Sequence, residues 1–390
     1  MIKYRATFYK MVFLWDKLLK SPYFKKKTIE SWKIMEQEFY RILIAAIHKP
    51  IKEAVTLSFQ IPDELLSVFK FYPGQHLCFR FVVNGVEERR MYSLHNSPYV
   101  KALYQVTVKI QKDGLISNYM ANNLKAGDIL EVSVPQGDFM VKPDEKAGKN
   151  YYFFAAGSGI TPIYSMLTSI MLAEPNSKAF LLYGNRSVPG ILFGSELLEW
   201  QAKYPERLKI TQTLSKRFLD FSITPWNGKR GRINEELVKT FLYENRSDAE
   251  KSEYYICGPD GMNQMVQDVL IDMGVSSKDI HFEYFSTQHI EYEEGLTAVK
   301  NALVDARIRN ENYQVRLAED ETILEGLKRI GAPAPYFCQG GICGTCKAHL
   351  IEGEVKMKTT MALSDEDLKN NRILTCQSLV QTARLKIEFK

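Results

Sequence analysis

The pattern of apolar and polar positions changes character twice along the chain. Around residues 40–141 the apolar positions fall in short β-branched or aromatic segments, 40–47, 54–60, 76–83 and 104–110. The turn signals Tyr72-Pro73-Gly74 and Asn84-Gly85 separate them. Many short strands, with one short helix after Gly114, predict a small antiparallel β-barrel that ends near Val141, just past Val134-Pro135-Gln136-Gly137. The polar stretch 142–150 then marks a boundary. Beyond it a continuous apolar run, 151–156, leads through a glycine turn into a helical period reaching Met171, and a second buried-type strand follows at 179–183. Strand and helix alternate up to Phe285, which predicts an α/β unit with a parallel sheet covered by helices. Residues 286–300 are polar and acidic and read as a linker. The remainder predicts strands at 302–309 and 313–318 and a helix at 322–330 stopped by Gly331, the start of an α+β unit. The expected organisation is therefore multidomain: an extension over 1–40, a barrel over 41–144, an α/β domain over 145–287, a linker over 288–300 and a last domain over 301–390.

Composition narrows the class. A chain of 390 residues suits two or three cores, and 45% apolar with 25% charged residues is an ordinary globular balance. There is no run of 18 apolar residues to span a membrane and no export signal at the start, so a cytoplasmic protein is expected. The net charge of +5 is concentrated in residues 1–40, where nine Lys and Arg outnumber four Asp and Glu. The body is near neutral and carries no basic stripe interleaved with aromatics, so nucleic acid is not an expected partner. Residues 12–19 have a short amphipathic pattern. A packed terminal arm and a weak membrane or partner contact are the two readings of that segment.

Cysteine usage changes the picture most. Four of the six cysteines crowd into the last 53 residues. Cys338, Cys343 and Cys346 have the spacing C-x4-C-x2-C, and Cys376 follows at a distance, which is the plant-type pattern for a [2Fe–2S] cluster. Three thiolates must come from one tightly wound loop and the fourth from elsewhere. Gly340, Gly341 and Gly344 permit the winding and aim N–H groups at the sulfurs. A zinc knuckle is the competing reading, but zinc sites pair two C-x2-C units and this chain has one.

Two further motifs suit phosphate-bearing ligands. Arg90-Met91-Tyr92-Ser93 follows a predicted strand, and Gly114 with Ser117 opens a helix whose N-terminus suits a phosphate. Arg90 would grip a pyrophosphate with its fork, Tyr92 would lie against a flavin, Ser93 would hydrogen-bond near flavin N5, and Phe285 would cover the ring. Gly157-Ser158-Gly159 lies between strand and helix, with Thr161 expected to cap the helix and Pro162 in its first turn. Asn185 and Arg186 end the next strand, and Ser215 and Arg217 a later one. Arg186, Ser215 and Arg217 would bind a 2′-phosphate, favouring NADPH over NADH; surface salt bridging is the alternative. Cys257-Gly258-Pro259, with Met262, ends another strand, where Cys257 would lie beside a nicotinamide or simply be a small buried hydrophobe.

Together these segments resemble the ferredoxin–NADP reductase superfamily with a C-terminal plant-type ferredoxin domain, over residues 41–390. The motifs look most like the reductases of phenylacetyl-CoA epoxidase systems. The carrying residues are Tyr72-Pro73-Gly74-Gln75-His76-Leu77, Arg89-Arg90-Met91-Tyr92-Ser93, Val134-Pro135-Gln136-Gly137, the stretches 155–162 and 183–187, and Cys257-Gly258-Pro259. The resemblance implies a flavin barrel, a nicotinamide domain and a β-grasp ferredoxin domain, with FAD as the flavin and FMN used by some relatives. Val108, Lys109 and Ile110, ahead of the Gly114 turn, complete the candidate flavin set; Ser93 and Cys257 are the candidate catalytic residues. The implied activity carries a hydride from NAD(P)H to the flavin and single electrons through the cluster to a separate oxygenase. A reductase for another hydroxylase or membrane desaturase, and a redox-sensing Fe–S flavoprotein, are the rival readings. Residues 1–40 depart from the family pattern.

Overall fold

The computed structural model describes residues 39–83, 85–216, 226–246, 251–285 and 297–389. The first sheet holds β1 (Tyr40–His48), β2 (Ala54–Gln60), β3 (His76–Val83), β4 (Val86–Ser93), β5 (Tyr104–Lys109) and β6 (Ile129–Val132), in the order β4-β3-β6-β1-β2-β5. Every pairing is antiparallel. The sheet curls into a half-barrel whose edge strands β4 and β5 approach at a single bridge, Leu94–Val106. Ile42, Leu57, Phe59, Phe79 and Val106 fill it. Helix α1 (Leu115–Asn122) covers one end with Ile116 and Met120. The turn at 84–85 joins β3 to β4 in register, Val83 against Val86, with Gly85 at φ 77°; Asn84 lies outside the described residues.

The second sheet is wholly parallel, β7 (Asn150–Ala156), β8 (Lys178–Asn185), β9 (Leu208–Leu214), β10 (Lys229–Arg230), β11 (Ser252–Cys257) and β12 (Ile280–Glu283), in the order β10-β9-β8-β7-β11-β12. Helices α2 (Ile160–Ala173), α3 (Gly194–Lys203), α4 (Glu235–Glu244) and α5 (Asp260–Asp272) cover it, and separate aromatic-rich cores lie on its two faces. The chain runs outward from β7 to β10 and then returns to β11, so the switch point falls between β7 and β11.

The last unit is a five-stranded mixed sheet with a small hairpin. Its strands are β13 (Leu303–Ile308), β14 (Glu311–Arg316), β15 (Lys347–Glu352), β17 (Arg372–Leu374) and β19 (Arg384–Glu388), with β16 (Val355–Met357) paired to β18 (Ser378–Val380). β13 and β19 run parallel at the centre, the mark of a β-grasp. Helix α6 (Ile323–Arg329) starts with a full capping box, Thr322 with Glu325, and packs Ile323, Leu324 and Leu327 inward. It stops where Gly331 takes φ 73°. A short helix, α7 (Asp365–Lys369), precedes β17.

Among the described residues no helix is long and apolar enough to cross a membrane. The amphipathic segment 12–19 and most of the expected linker, 286–296, lie outside the described residues.

Candidate functional site

Strand β4 delivers Arg90, Tyr92 and Ser93 to one end of the half-barrel. The Arg90 guanidinium is half exposed and paired with Glu88 at 2.8 Å, so an arriving anion competes with one carboxylate. Tyr92 tilts against Phe79 at 5.7 Å, and burial pushes its phenol well above the usual value, although Arg90 pulls the other way. Ser93 is buried and opposite His76 in the β3–β4 ladder. Val108 is buried in the barrel core, which leaves its backbone, not its side chain, to meet a cofactor. Ile110 N–H is held by Glu53 O. The Ser117 hydroxyl accepts from Gln111 N–H and donates to Gly114 O, so it shapes the turn and leaves anion binding there to the helix N–H groups. A Cβ on Gly114 would lie 2.5 Å from that hydroxyl.

At the switch point, Gly157, Ser158 and Gly159 form a single 3₁₀ turn with Gly157 at φ 55°. The expectation that Thr161 caps the helix is corrected here. The helix begins at Ile160 with Gly159 as its N-cap, and the Thr161 hydroxyl donates backward to Ser158 O at 3.0 Å from within the first turn. The glycines let the chain tighten two residues earlier than the Thr-Pro pair suggested. A Cβ on Gly159 would lie 1.9 Å from Cys257 O, and one on Gly258 2.4 Å from Met262 Cε, so these turns interlock at the ends of β7 and β11. Pro259 caps α5 and Met262 N–H bonds back to Pro259 O. Lys109 Nζ reaches to 3.9 Å from the position of a Gly157 Cβ, closing the barrel over this turn.

Cys257 is fully buried, and burial, with the Glu283 carboxylate adding to it, raises its thiol well above the usual value. It is a neutral, shape-filling thiol, not a nucleophile. Cys257 and Glu283 are register partners across β11 and β12, and Glu283 Oε1 lies 3.5 Å from His76 Nδ1. Glu283 Oε2 is buried without a hydrogen-bond partner. An orphaned acceptor between the Ser93 end of the barrel and the Gly157 turn fits a site completed by bound groups. In the sequence His76 belongs to the Tyr72-Pro73-Gly74-Gln75-His76-Leu77 segment and Glu283 precedes Tyr284-Phe285, but nothing in either segment gives the residue a role of its own. The ring of His76 is also pinned by Gly137, whose Cβ would lie 2.8 Å from it. Phe285 is exposed, two residues beyond Glu283.

The nucleotide edge has Asn185 buried at the end of β8 and Arg186 exposed beside it. Ser215 N–H bonds to Asn185 O and Lys216 N–H to Arg186 O, which places Ser215 next to Arg186. Arg217 lies outside the described residues.

The four C-terminal thiols fall into two pairs. Cys346 and Cys376 Sγ are 3.3 Å apart in the buried core, and Cys338 and Cys343 share a hydrogen bond in the half-buried loop. Within each pair the shared hydrogen bond lowers one thiol, Cys343 beside Cys338 and Cys346 beside Cys376, and raises its partner. Gln339, Gly341 and Gly344 all have positive φ, and Gly340 N–H points at Cys338 Sγ at 3.3 Å. A Cβ on Gly341 would press on Thr359 and Gln377. Two thiol pairs, three of the four sulfurs from one loop, suit two irons, which is the donor set of a [2Fe–2S] centre.

The half-barrel, the parallel sheet with its glycine switch point and the cysteine-bearing β-grasp define a modular flavin, nicotinamide and iron–sulfur oxidoreductase. Three family models match in that order: an oxidoreductase FAD-binding domain over 45–141, an oxidoreductase NAD-binding domain over 153–268 and a 2Fe-2S iron-sulfur cluster binding domain over 306–381. The chain is 33% identical to a component of the 1,2-phenylacetyl-CoA epoxidase of Escherichia coli (strain K12), across 90% of this chain and 98% of that one. It is 29% identical to the ferredoxin reductase component of 3-ketosteroid-9-alpha-monooxygenase from Rhodococcus rhodochrous, across 89% and 96%. The solved structure of phthalate dioxygenase reductase superposes with a TM-score of 0.54 at 25% identity, covering 90% of this chain and 98% of that one. The chain belongs to the family of that 1,2-phenylacetyl-CoA epoxidase component, NAD(P)H-dependent oxidoreductases with FAD, nicotinamide and 2Fe–2S domains.

Proposed function

We propose that this chain is the reductase component of an oxygenase system, taking a hydride from NADPH and handing single electrons through its cluster to a separate oxygenase. The observation that carries this reading is the path of β4: its end presents Ser93 to the His76–Glu283–Cys257 group at the nicotinamide turn, and its middle touches the ferredoxin unit through Arg89 and Tyr336. One strand thus borders all three redox modules. The 33% identity to a component of the 1,2-phenylacetyl-CoA epoxidase supports an acceptor of that type. We assign the units 41–144, 145–287 and 301–390 to the three modules, and a cytoplasmic setting to the chain.

When bound, the flavin converts hydride chemistry at N5 into single-electron chemistry, and the cluster carries one electron at a time. Arg90 and the first turn of α1 would hold the flavin's pyrophosphate, Tyr92 would lie against its ring, and the Ser93 hydroxyl would hydrogen-bond near N5. Gly157, Ser158 and Gly159 admit the nicotinamide nucleotide's phosphates to backbone N–H groups. Arg186, Ser215 and Arg217 bind its 2′-phosphate. Gly258, Pro259 and Met262 form the wall of the nicotinamide pocket, with Cys257 behind them and Phe285 at the rim. Cys338 and Cys343 would hold one iron, Cys346 and Cys376 the other. No side chain acts as acid or base in the hydride step itself.

Anaerobic titration of the purified holoprotein tests this, first with NADPH and then with NADH, read in the visible spectrum. Flavin and cluster bands that bleach together, with NADPH the more effective, are expected. Bleaching by NADH alone would remove the role given to Arg186, Ser215 and Arg217. A flavin that bleaches beside a cluster that stays oxidised would favour the redox-sensing reading.

A further inference from the structure

β4 is an edge strand that meets β5 just past its end, at the Leu94–Val106 bridge, and the side chains Glu87 and Arg89 at its middle meet the ferredoxin unit. Arg89 Nη1 donates to Tyr336 O at 2.9 Å, and the same guanidinium lies 4.0 Å from the centroid of the Tyr336 ring. Lys328 Nζ sits 4.5 Å from that ring, and the Tyr336 hydroxyl reaches Glu87 Oε1 at 3.4 Å. Glu87 in turn accepts from Arg89 Nε at 2.8 Å. Tyr336 is therefore held by carbonyl, ring and hydroxyl at once. Next to it, the Phe337 ring meets Phe39 edge-on at 6.0 Å, and Phe39 carries Arg80 at 4.8 Å and Arg89 at 5.0 Å over its face. The Arg89 side chain is only 11% exposed, so its charge-assisted bond and ring contacts are shielded from bulk water.

Both ends of this contact lie next to redox machinery. On the ferredoxin side Tyr336 is two residues before Cys338, and Lys328 also donates to Gln339 Oε1 at 2.7 Å, one residue after it. Gln339 O accepts from Gln377 Nε2, the residue following Cys376. On the barrel side Arg89 is the immediate neighbour of Arg90 in the strand that ends at Ser93.

We propose that Arg89 is a positioning residue that clasps the cluster loop to the flavin strand and so governs the flavin-to-cluster electron step, apart from hydride transfer. The proposal rests on the electron-chain reading above. Electron tunnelling falls steeply with distance, and the guanidinium closes the gap between the two modules beside a cluster ligand. Lys cannot reproduce the contact, since it lacks the planar fork that bonds the carbonyl while lying on the ring.

The test is anaerobic stopped-flow mixing of full-length holoprotein with NADPH, following flavin and cluster bleaching separately in wild type, Arg89→Ala, Arg89→Lys and Tyr336→Ala. Flavin and cluster content of each variant is checked first from its spectrum. Flavin bleaching at the wild-type rate is expected in all three variants. Cluster bleaching should slow by about tenfold or more in Arg89→Ala and Tyr336→Ala, as small misplacements of reacting groups do, with Arg89→Lys between. Cluster bleaching at the wild-type rate in both alanine variants overturns the clasp. Flavin and cluster rates that fall in parallel overturn it too, since Arg89 would then act on the flavin site. A wild-type cluster that stays oxidised while its flavin bleaches sinks the underlying electron chain, and is told apart by needing no variant.

Discussion

Single atoms decide much at this site. Gly159 has no room for a methyl group, because its Cβ would sit 1.9 Å from Cys257 O. Gly159→Ala must push the nicotinamide turn away from β11, at a cost of about 1–3 kcal/mol typical of overpacking. A raised KM for NADPH, with flavin content intact, is the expected result in steady-state assays with ferricyanide. At the other end, Cys376→Ser removes one member of the buried thiol pair with Cys346. Its purified protein should keep flavin absorption and lose the cluster bands, and NADPH should still bleach the flavin.

At the scale of elements, the segment after β4 joins the barrel to the α/β unit. His95 follows Ser93 by two residues and is buried, with Thr107 Oγ1 at 3.2 Å from Nδ1 and the Phe193 ring 4.9 Å away. Burial, helped by the charge of His48, holds its pKa down to about 3. The unfolded chain takes up a proton near pH 6.5, and the folded chain refuses it until about pH 3. The contribution of His95 is thus complete above pH 6.5 and is lost as pH falls toward 3, approaching about 1.4 kcal/mol per pH unit. Urea midpoints measured from pH 6 down to pH 4 should fall more steeply for wild type than for His95→Gln; equal slopes would place the acid sensitivity elsewhere.

At the scale of the whole molecule, side-chain contacts set the barrel against the α/β unit. α2 is joined to the barrel by buried hydroxyls, Ser165 Oγ to Asn96 O at 2.8 Å and Ser169 Oγ to Ser97 Oγ at 2.7 Å. Gly74, at φ 103°, leaves no space for a Cβ against Met166 and Phe139 O. Ser169→Leu inserts bulk into this seam. It should slow flavin bleaching by NADPH with the flavin still bound, whereas Ser169→Ala adds no bulk and loses only the hydroxyl's contacts with Ser97 and Ser165, about 1 kcal/mol each. Stopped-flow traces of the two variants separate module misalignment from simple destabilisation.

The sequence by itself determined what is local. The cluster cysteines lie in a loop whose spacing and glycines carry their own geometry, and the strands at 54–60 and 76–83 match β2 and β3 because alternation and turn residues act over a few positions. The glycine turns at 157–159 and 258 were legible for the same reason. Even locally the helix starts at Ile160 with Gly159 as its N-cap, ahead of the Thr161 that the sequence favours. The tertiary structure alone decided which distant residues meet. His76 on β3 and Glu283 on β12 belong to different modules, and Arg89 and Tyr336 are 247 residues apart. Pairings of that range leave no periodicity or spacing in the chain; they arise when strand ends converge and buried charges must find partners.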